Sequence, residues 1–109
     1  MSDLVEIITD DNFTEEVQNS SKPFLLDFWA PWCNPCLALQ PVLDKLAEAY
    51  GDKIRIGKMN VSENAVIPAQ MAVRNIPRLV MFKDGEIVDE CVGANKKKII
   101  DMCEAIANA

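Results

Sequence analysis

Pro23-Phe24-Leu25-Leu26-Asp27-Phe28-Trp29-Ala30, followed at once by Pro31-Trp32-Cys33-Asn34-Pro35-Cys36, decides how this chain folds. The first eight residues are almost continuously apolar, the pattern of a central strand covered on both faces. From Leu37 the period changes. Leu37, Leu39, Val42, Leu43, Leu46, Ala47 and Tyr50 recur at helical spacing until Gly51. The two cysteines therefore stand where a buried strand hands over to a helix. A Cys-x-x-Cys pair at such a junction is a redox dithiol, because its spacing closes a small disulfide ring. The free N–H groups and positive dipole end of the helix favour a thiolate there.

Working outward, residues 4–8 form a short apolar strand candidate. Thr9, Asp10 and Asp11 offer N-caps for a helix reaching about Ser20, with Phe13 and Val17 on one face. Pro41 falls inside the helix of residues 37–50, removes a backbone donor and predicts a kink. Residues 54–61 read as a second central strand. Residues 62–72 carry a weaker helical pattern, disturbed by Pro68. Arg78–Lys83 and Glu86–Val92 are strands joined by Asp84-Gly85, a hairpin signal. Lys96–Ala107 is a last helix with Ile99, Ile100, Cys103, Ile106 and Ala107 inward. The order βαβαβαββα predicts parallel pairing early and an antiparallel hairpin late. The expected fold is α/β, one domain over residues 1–109, with a mixed sheet of about five strands flanked by about four helices.

The chain has 109 residues, half of them hydrophobic, and a net charge of −6. That balance allows one core and argues against nucleic acid, whose phosphates an acidic surface repels. Lys96-Lys97-Lys98 is the one basic cluster and reads as a solvated helix face. The N-terminus is acidic, with no visible secretory signal, and no apolar run nears the ~20 residues that span a bilayer. A cytoplasmic, reducing compartment is the default expectation, and there a cysteine pair is catalytic or metal-binding rather than structural. Zinc takes four ligands; the chain has no histidine, and Cys91 and Cys103 stand at spacings unlike a zinc ribbon. No metal is expected, and no cofactor beyond the cysteine pair itself.

Cys33, before the helix, is better placed for exposure and is assigned as nucleophile; Cys36, further in, resolves the mixed disulfide. Asp27 is an acid inside an apolar strand. Burial raises the pKa of such a group, and in a chain without histidine it is the best proton acceptor for Cys36. Its plainer reading is a strand-end acid facing solvent. Cys103 lies on an inward helical stripe and reads as core filling. Cys91, alternating with Val92 on an edge strand, reads as partly exposed and open to a regulatory role.

Over nearly its whole length the chain resembles the thioredoxin family. The matches run in order: Asp27-Phe28-Trp29-Ala30, Trp32-Cys33-x-Pro35-Cys36, Pro41, Lys58 with Asn60, Ile76-Pro77, Phe82-Lys83-Asp84-Gly85-Glu86 and Val92-Gly93-Ala94. The resemblance implies a protein-disulfide reductase, acting as a monomer on disulfide-containing proteins. Electrons come from a separate thioredoxin reductase, since the chain has no nucleotide-binding glycine fingerprint. It implies that Lys58 approaches Asp27 and that Ile76-Pro77 is cis, with Pro77 against the disulfide. It implies that the Ile76 backbone pairs with an extended substrate in a groove framed by Trp32, Pro35, Gly93 and Ala94. Trp29 is read as packing beside the site.

Five positions depart from the family pattern. Asn34 stands for the usual glycine, Leu37 for a basic residue, Pro31 for a polar one, Asn75 for glycine and Arg78 for threonine. Asn34 and Arg78 are nearest the chemistry, and the Arg78 guanidinium is expected along the edge of the substrate groove. The rival readings are a glutaredoxin-like or oxidising member of the same fold, and a binding module or subunit without enzymatic activity.

Overall fold

A computed structural model describes residues 4–109. The expectation for residues 1–3, part of the acidic N-terminus, lies outside the described residues. Five strands form one sheet in the order β1-β3-β2-β4-β5. They are β1 (Val5–Ile7), β2 (Phe24–Trp29), β3 (Arg55–Asn60), β4 (Arg78–Lys83) and β5 (Glu86–Val92). β3 pairs in parallel with β1 and β2, whereas β4 is antiparallel to β2 and to β5. The helices are α1 (Asn34–Tyr50), α2 (Val66–Gln70) and α3 (Lys96–Ala107), with one π-helical turn at Thr14–Gln18. Among the described residues no helix is long and apolar enough to cross a membrane.

The period of two along each strand sorts side chains between two cores. Phe24, Leu26 and Phe28 of β2, Met59 of β3 and Val80 and Phe82 of β4 face one side, against Phe13, Val17 and Ile67. Leu25, Ile56, Leu79 and Met81 face the other, against Leu39, Leu43 and Leu46 of α1 and Ile99, Met102 and Cys103 of α3. By parity, Asp27 shares the face of Leu25, and Lys58 shares the face of Ile56. Both therefore lie on the α1 side. Gly57 faces the opposite core, where an added Cβ would come within 2.8 Å of the Phe24 ring. The β4–β5 turn uses Asp84 (φ 53°) and Gly85 (φ 81°), the left-handed pair a two-residue hairpin requires.

Several expectations need correction. The first helix shrinks to the turn at Thr14–Gln18, closed by the Asn19 N–H on the Thr14 carbonyl at 3.0 Å. Of the three caps expected for it, Thr9 accepts the Asn12 N–H on its Oγ1 at 3.2 Å, whereas Asp10 is used elsewhere: its carboxylate accepts the Val66 and Ile67 N–H groups at 3.1 and 2.8 Å and caps α2. The helix expected over residues 62–72 is correspondingly short. Asn60 Oδ1 accepts the Ser62 N–H and Asn64 donates to the Asn60 carbonyl, so this stretch turns before α2 begins. In α3, Ile99, Met102 and Cys103 are buried but Ile100, one position and ~100° further round, is exposed. Cys91 is buried, and Val92 is the residue that faces outward. α1 runs through Pro41 as a single helix.

The remote cap makes a prediction. Asp10→Ala should cost about 1 kcal/mol and lower the melting temperature by roughly 4–8 °C. Hydrogen exchange should locate the loss at Val66 and Ile67. Unchanged protection of those amides would show that the carboxylate does not hold α2.

Candidate active site

Cys33 ends the loop after β2 and is the N-cap of α1. Its Sγ accepts the Cys36 N–H at 3.2 Å, one of the donors a helix start leaves unpaired. Pro35 occupies the first turn, where a missing N–H costs nothing. Cys33 and Cys36 are joined as a disulfide, with Cα atoms 5.2 Å apart. The two sulfur-bearing residues differ in access: Cys33 is 8% exposed and Cys36 0%. Ala30 and both cysteines pack together with Trp29, Val61 and Ile76 against them.

The rim is built from three segments. Trp32 is 70% exposed, and Asn34 and Pro35 are exposed beside it. The Ile76-Pro77 bond is cis and Pro77 is buried. The Gly93 N–H donates to the Pro77 carbonyl at 2.7 Å, which ties Gly93 and the exposed Ala94 to the proline. The Cys91 Sγ lies 3.6 Å from the Gly93 carbonyl, to which it donates.

Arg78 is placed differently from the expectation of a groove cation. Its guanidinium donates to the Met71 carbonyl at 2.6 Å and pairs with Glu90 at 3.3 Å. It lines a pocket with Met71, Ala72, Arg74, Asn75, Glu90 and Val92, none of which is a cysteine or Trp32. A fork already holding a carbonyl and a carboxylate ties the chain before Ile76 to β5.

The acid lies on the same face of the sheet as α1. Asp27 is 0% exposed, and among the described residues neither carboxylate oxygen has a hydrogen-bond partner. Burial lifts its pKa from 3.8 to about 7, against the opposing pull of the Lys58 charge and the Gln40 side chain. Lys58 is its register neighbour on β3. The Lys58 ammonium donates to Gln40 Oε1 at 3.0 Å and sits 5.1 Å from the Trp29 ring centroid, so Trp29 does more than pack. Gln40 in turn donates from Nε2 to the Cys36 carbonyl at 3.4 Å. Gln40 was not singled out from the sequence. Its signal was available, since it follows Cys36 by four and so shares its helix face.

A Cys-x-x-Cys disulfide at a helix start, with a buried acid above its usual pKa on the sheet face under that helix, defines a class: the thiol–disulfide oxidoreductases, which trade this bond with one in another molecule. Comparison with known proteins narrows it. The family model described as Thioredoxin matches residues 4–105. The thioredoxin of Haemophilus influenzae is 50% identical over 97 residues, spanning 89% of this chain and 90% of its own. That of Acidithiobacillus ferridurans is 45% identical over 97 residues, with the same coverage of 89% and 90%. The crystal structure of Malassezia sympodialis thioredoxin is similar with a TM-score of 0.87 at 33% identity, covering 94% of this chain and 90% of that one. The chain belongs to the thioredoxin family. Membership brings disulfide-containing substrates and a reductase partner in general.

Asp27 also makes stability depend on pH. A rise from 3.8 to about 7 corresponds to on the order of 4 kcal/mol against the ionised form, at ~1.36 kcal/mol per pH unit. Below about pH 4 the acid is neutral in both folded and unfolded chains and nothing is lost. From about pH 4 to 7 the unfolded chain ionises first, so stability falls as pH rises. Asp27→Asn should therefore be close to neutral near pH 4 and stabilising by roughly 2–4 kcal/mol near pH 8. Urea unfolding of the oxidised protein at both pH values checks this. A difference that does not grow with pH would exclude a raised Asp27 pKa.

Proposed function

We propose that this chain reduces protein disulfides as a single-domain monomer, with Cys33 attacking and Cys36 resolving. The unequal exposure of the two cysteines carries the reading. A substrate sulfur reaches only the outer one. The Cys33 thiolate attacks a substrate disulfide, one substrate sulfur leaves as thiolate, and a mixed disulfide forms. Cys36 then gives its proton to Asp27 and attacks the Cys33 sulfur. The Cys33–substrate bond breaks, the substrate leaves with two electrons more, and the Cys33–Cys36 disulfide returns. A thioredoxin reductase resets the pair.

The substrate lies across Trp32, Asn34, Pro35, Pro77, Gly93 and Ala94, with its backbone along Ile76. Lys58 stabilises the ionised Asp27 by its charge. Arg78 acts on this groove indirectly, through the segment it ties down. The reaction takes no metal and no cofactor beyond the cysteine pair, and the reducing cytoplasm is the compartment in which the dithiol persists. A binding module without activity is disfavoured by the buried, unpartnered acid, which costs folding energy and serves no scaffold. An oxidising or glutaredoxin-like role is separated by equilibrating the pair against glutathione.

Cys36→Ser should accumulate a mixed disulfide through Cys33, because attack survives and resolution fails, while Cys33→Ser should trap none. Mass spectrometry of the trapped adduct decides, and an adduct on Cys36 would reverse the assignment. Asp27→Asn should slow resolution on the order of 10²-fold at neutral pH and remove an inflection near pH 7, because the base is lost. An unaltered pH–rate profile in that variant would mean that another group takes the Cys36 proton.

A further inference from the structure

We propose that Gln40 is a positioning residue that holds the Lys58 ammonium away from Asp27 and so keeps that acid out of an ion pair. The proposal rests on the reading of Asp27 as proton acceptor only for its kinetic consequence, not for the geometry. Three groups compete for the one ammonium. Asp27 is its neighbour in register across β2 and β3. Gln40 Oε1 takes one of its protons at 3.0 Å, and the Trp29 ring faces it at 5.1 Å. Asp27 receives none of its hydrogen bonds, although an ionised carboxylate is the strongest acceptor of the three.

The amide can win because it is fixed from the other side. Its Nε2 donates to the Cys36 carbonyl within α1, so the oxygen is presented to Lys58 by a helix and not by a free side chain. The same link joins the ammonium to the turn of α1 that carries Cys36. Charged groups near Lys58 are few. Asp44 of α1 lines one pocket with it and Trp29, and Asp11 and Glu63 line another with the same pair. None forms an ion pair with Lys58 among the described residues. Around Asp27, β4 contributes the apolar Leu79, β3 contributes Lys58, and α1 contributes Gln40. Lys58 is thus the charge whose distance from Asp27 can change.

Two effects of removing the amide oppose each other. Its own dipole favours the ionised acid, so its loss alone raises the Asp27 midpoint. Freeing Lys58 to reach the carboxylate lowers it, and a charge in contact outweighs a dipole. The net movement is downward. When Cys36 has to lose its proton, an acid already ionised at lower pH is a weaker acceptor.

The test is carbon-13 NMR titration of the Asp27 carboxyl in the oxidised protein, where neither active-site cysteine titrates. Gln40→Met keeps the length of the side chain and removes both polar atoms. Its Asp27 midpoint should fall by about one pH unit or more, a tenfold change in the ionised fraction. Gln40→Glu retains an oxygen for Lys58 and adds a negative charge, so its midpoint should stay at or above that of the native protein. In a Lys58→Met background, Gln40→Met should no longer lower the midpoint. A role in helix stability alone would not send the two Gln40 variants in opposite directions. A midpoint that is unchanged or raised in Gln40→Met, or a fall that persists without Lys58, would overturn the proposal. If the midpoint falls as expected while the pH dependence of resolution does not follow it, the positioning stands and the acceptor role of Asp27 is what fails.

Discussion

A carboxyl group in the middle of a central strand constrains everything built around it. β2 is buried from Phe24 to Phe28 and paired on both edges, and Asp27 in its middle is fully buried. Its backbone groups belong to the ladders with β3 and β4, and its side chain must point to one core or the other. Parity sends it to the α1 side. There the sheet otherwise presents Leu25, Ile56 and Leu79, and the fold accepts an unpaired polar group among them. The ionised form is held off by burial, which is also what moves its titration to about 7, where a thiol can exchange protons with it.

The same handover from strand to helix sets the cysteines. β2 must end before α1 can begin, and the first turn of α1 has N–H groups with no partner inside the helix. Cys33 answers one of them with its sulfur. Cys36 follows on the turn that faces the sheet, and Gln40 one turn later meets Lys58. Strand parity and helical period together bring acid, ammonium, amide and inner cysteine to one side of the sheet. The outer cysteine is left at the rim beside Trp32 and the cis-proline segment.

Much of this was legible because it is periodic and local. The apolar run of β2, the helical stripe of α1 and the Asp84-Gly85 turn each signal themselves within a few residues, and Asp27 stands out as a charge in an apolar strand. Several of the failures have a deciding partner in another element of the fold. Asp10 looks like the cap of the next helix but caps α2, whose first N–H groups lie more than fifty residues on. Arg78 looks like a free cation at the groove until the Met71 carbonyl and Glu90, across the hairpin, take its fork. Cys91 read as partly exposed from its place on an edge strand, alternating with Val92, whereas it packs in the core shared with α3.

The family departures divide by what they touch. Asn34 stands exposed on the rim, beside Trp32. Arg78 is absorbed into a tie between the chain before Ile76 and β5. Leu37 has a subtler effect. Thioredoxins usually carry a basic residue there, and a second cation beside α1 would share the field around the acid and the inner thiol. Here Leu37 lines a pocket with Trp29, Gln40, Pro41, Asp44 and Lys58, and Lys58 is the one cation of that lining. With no second cation in that lining, Lys58 is the positive charge that bears on Asp27. Its position is fixed by a neutral amide and an aromatic ring, both of which hold it without neutralising it.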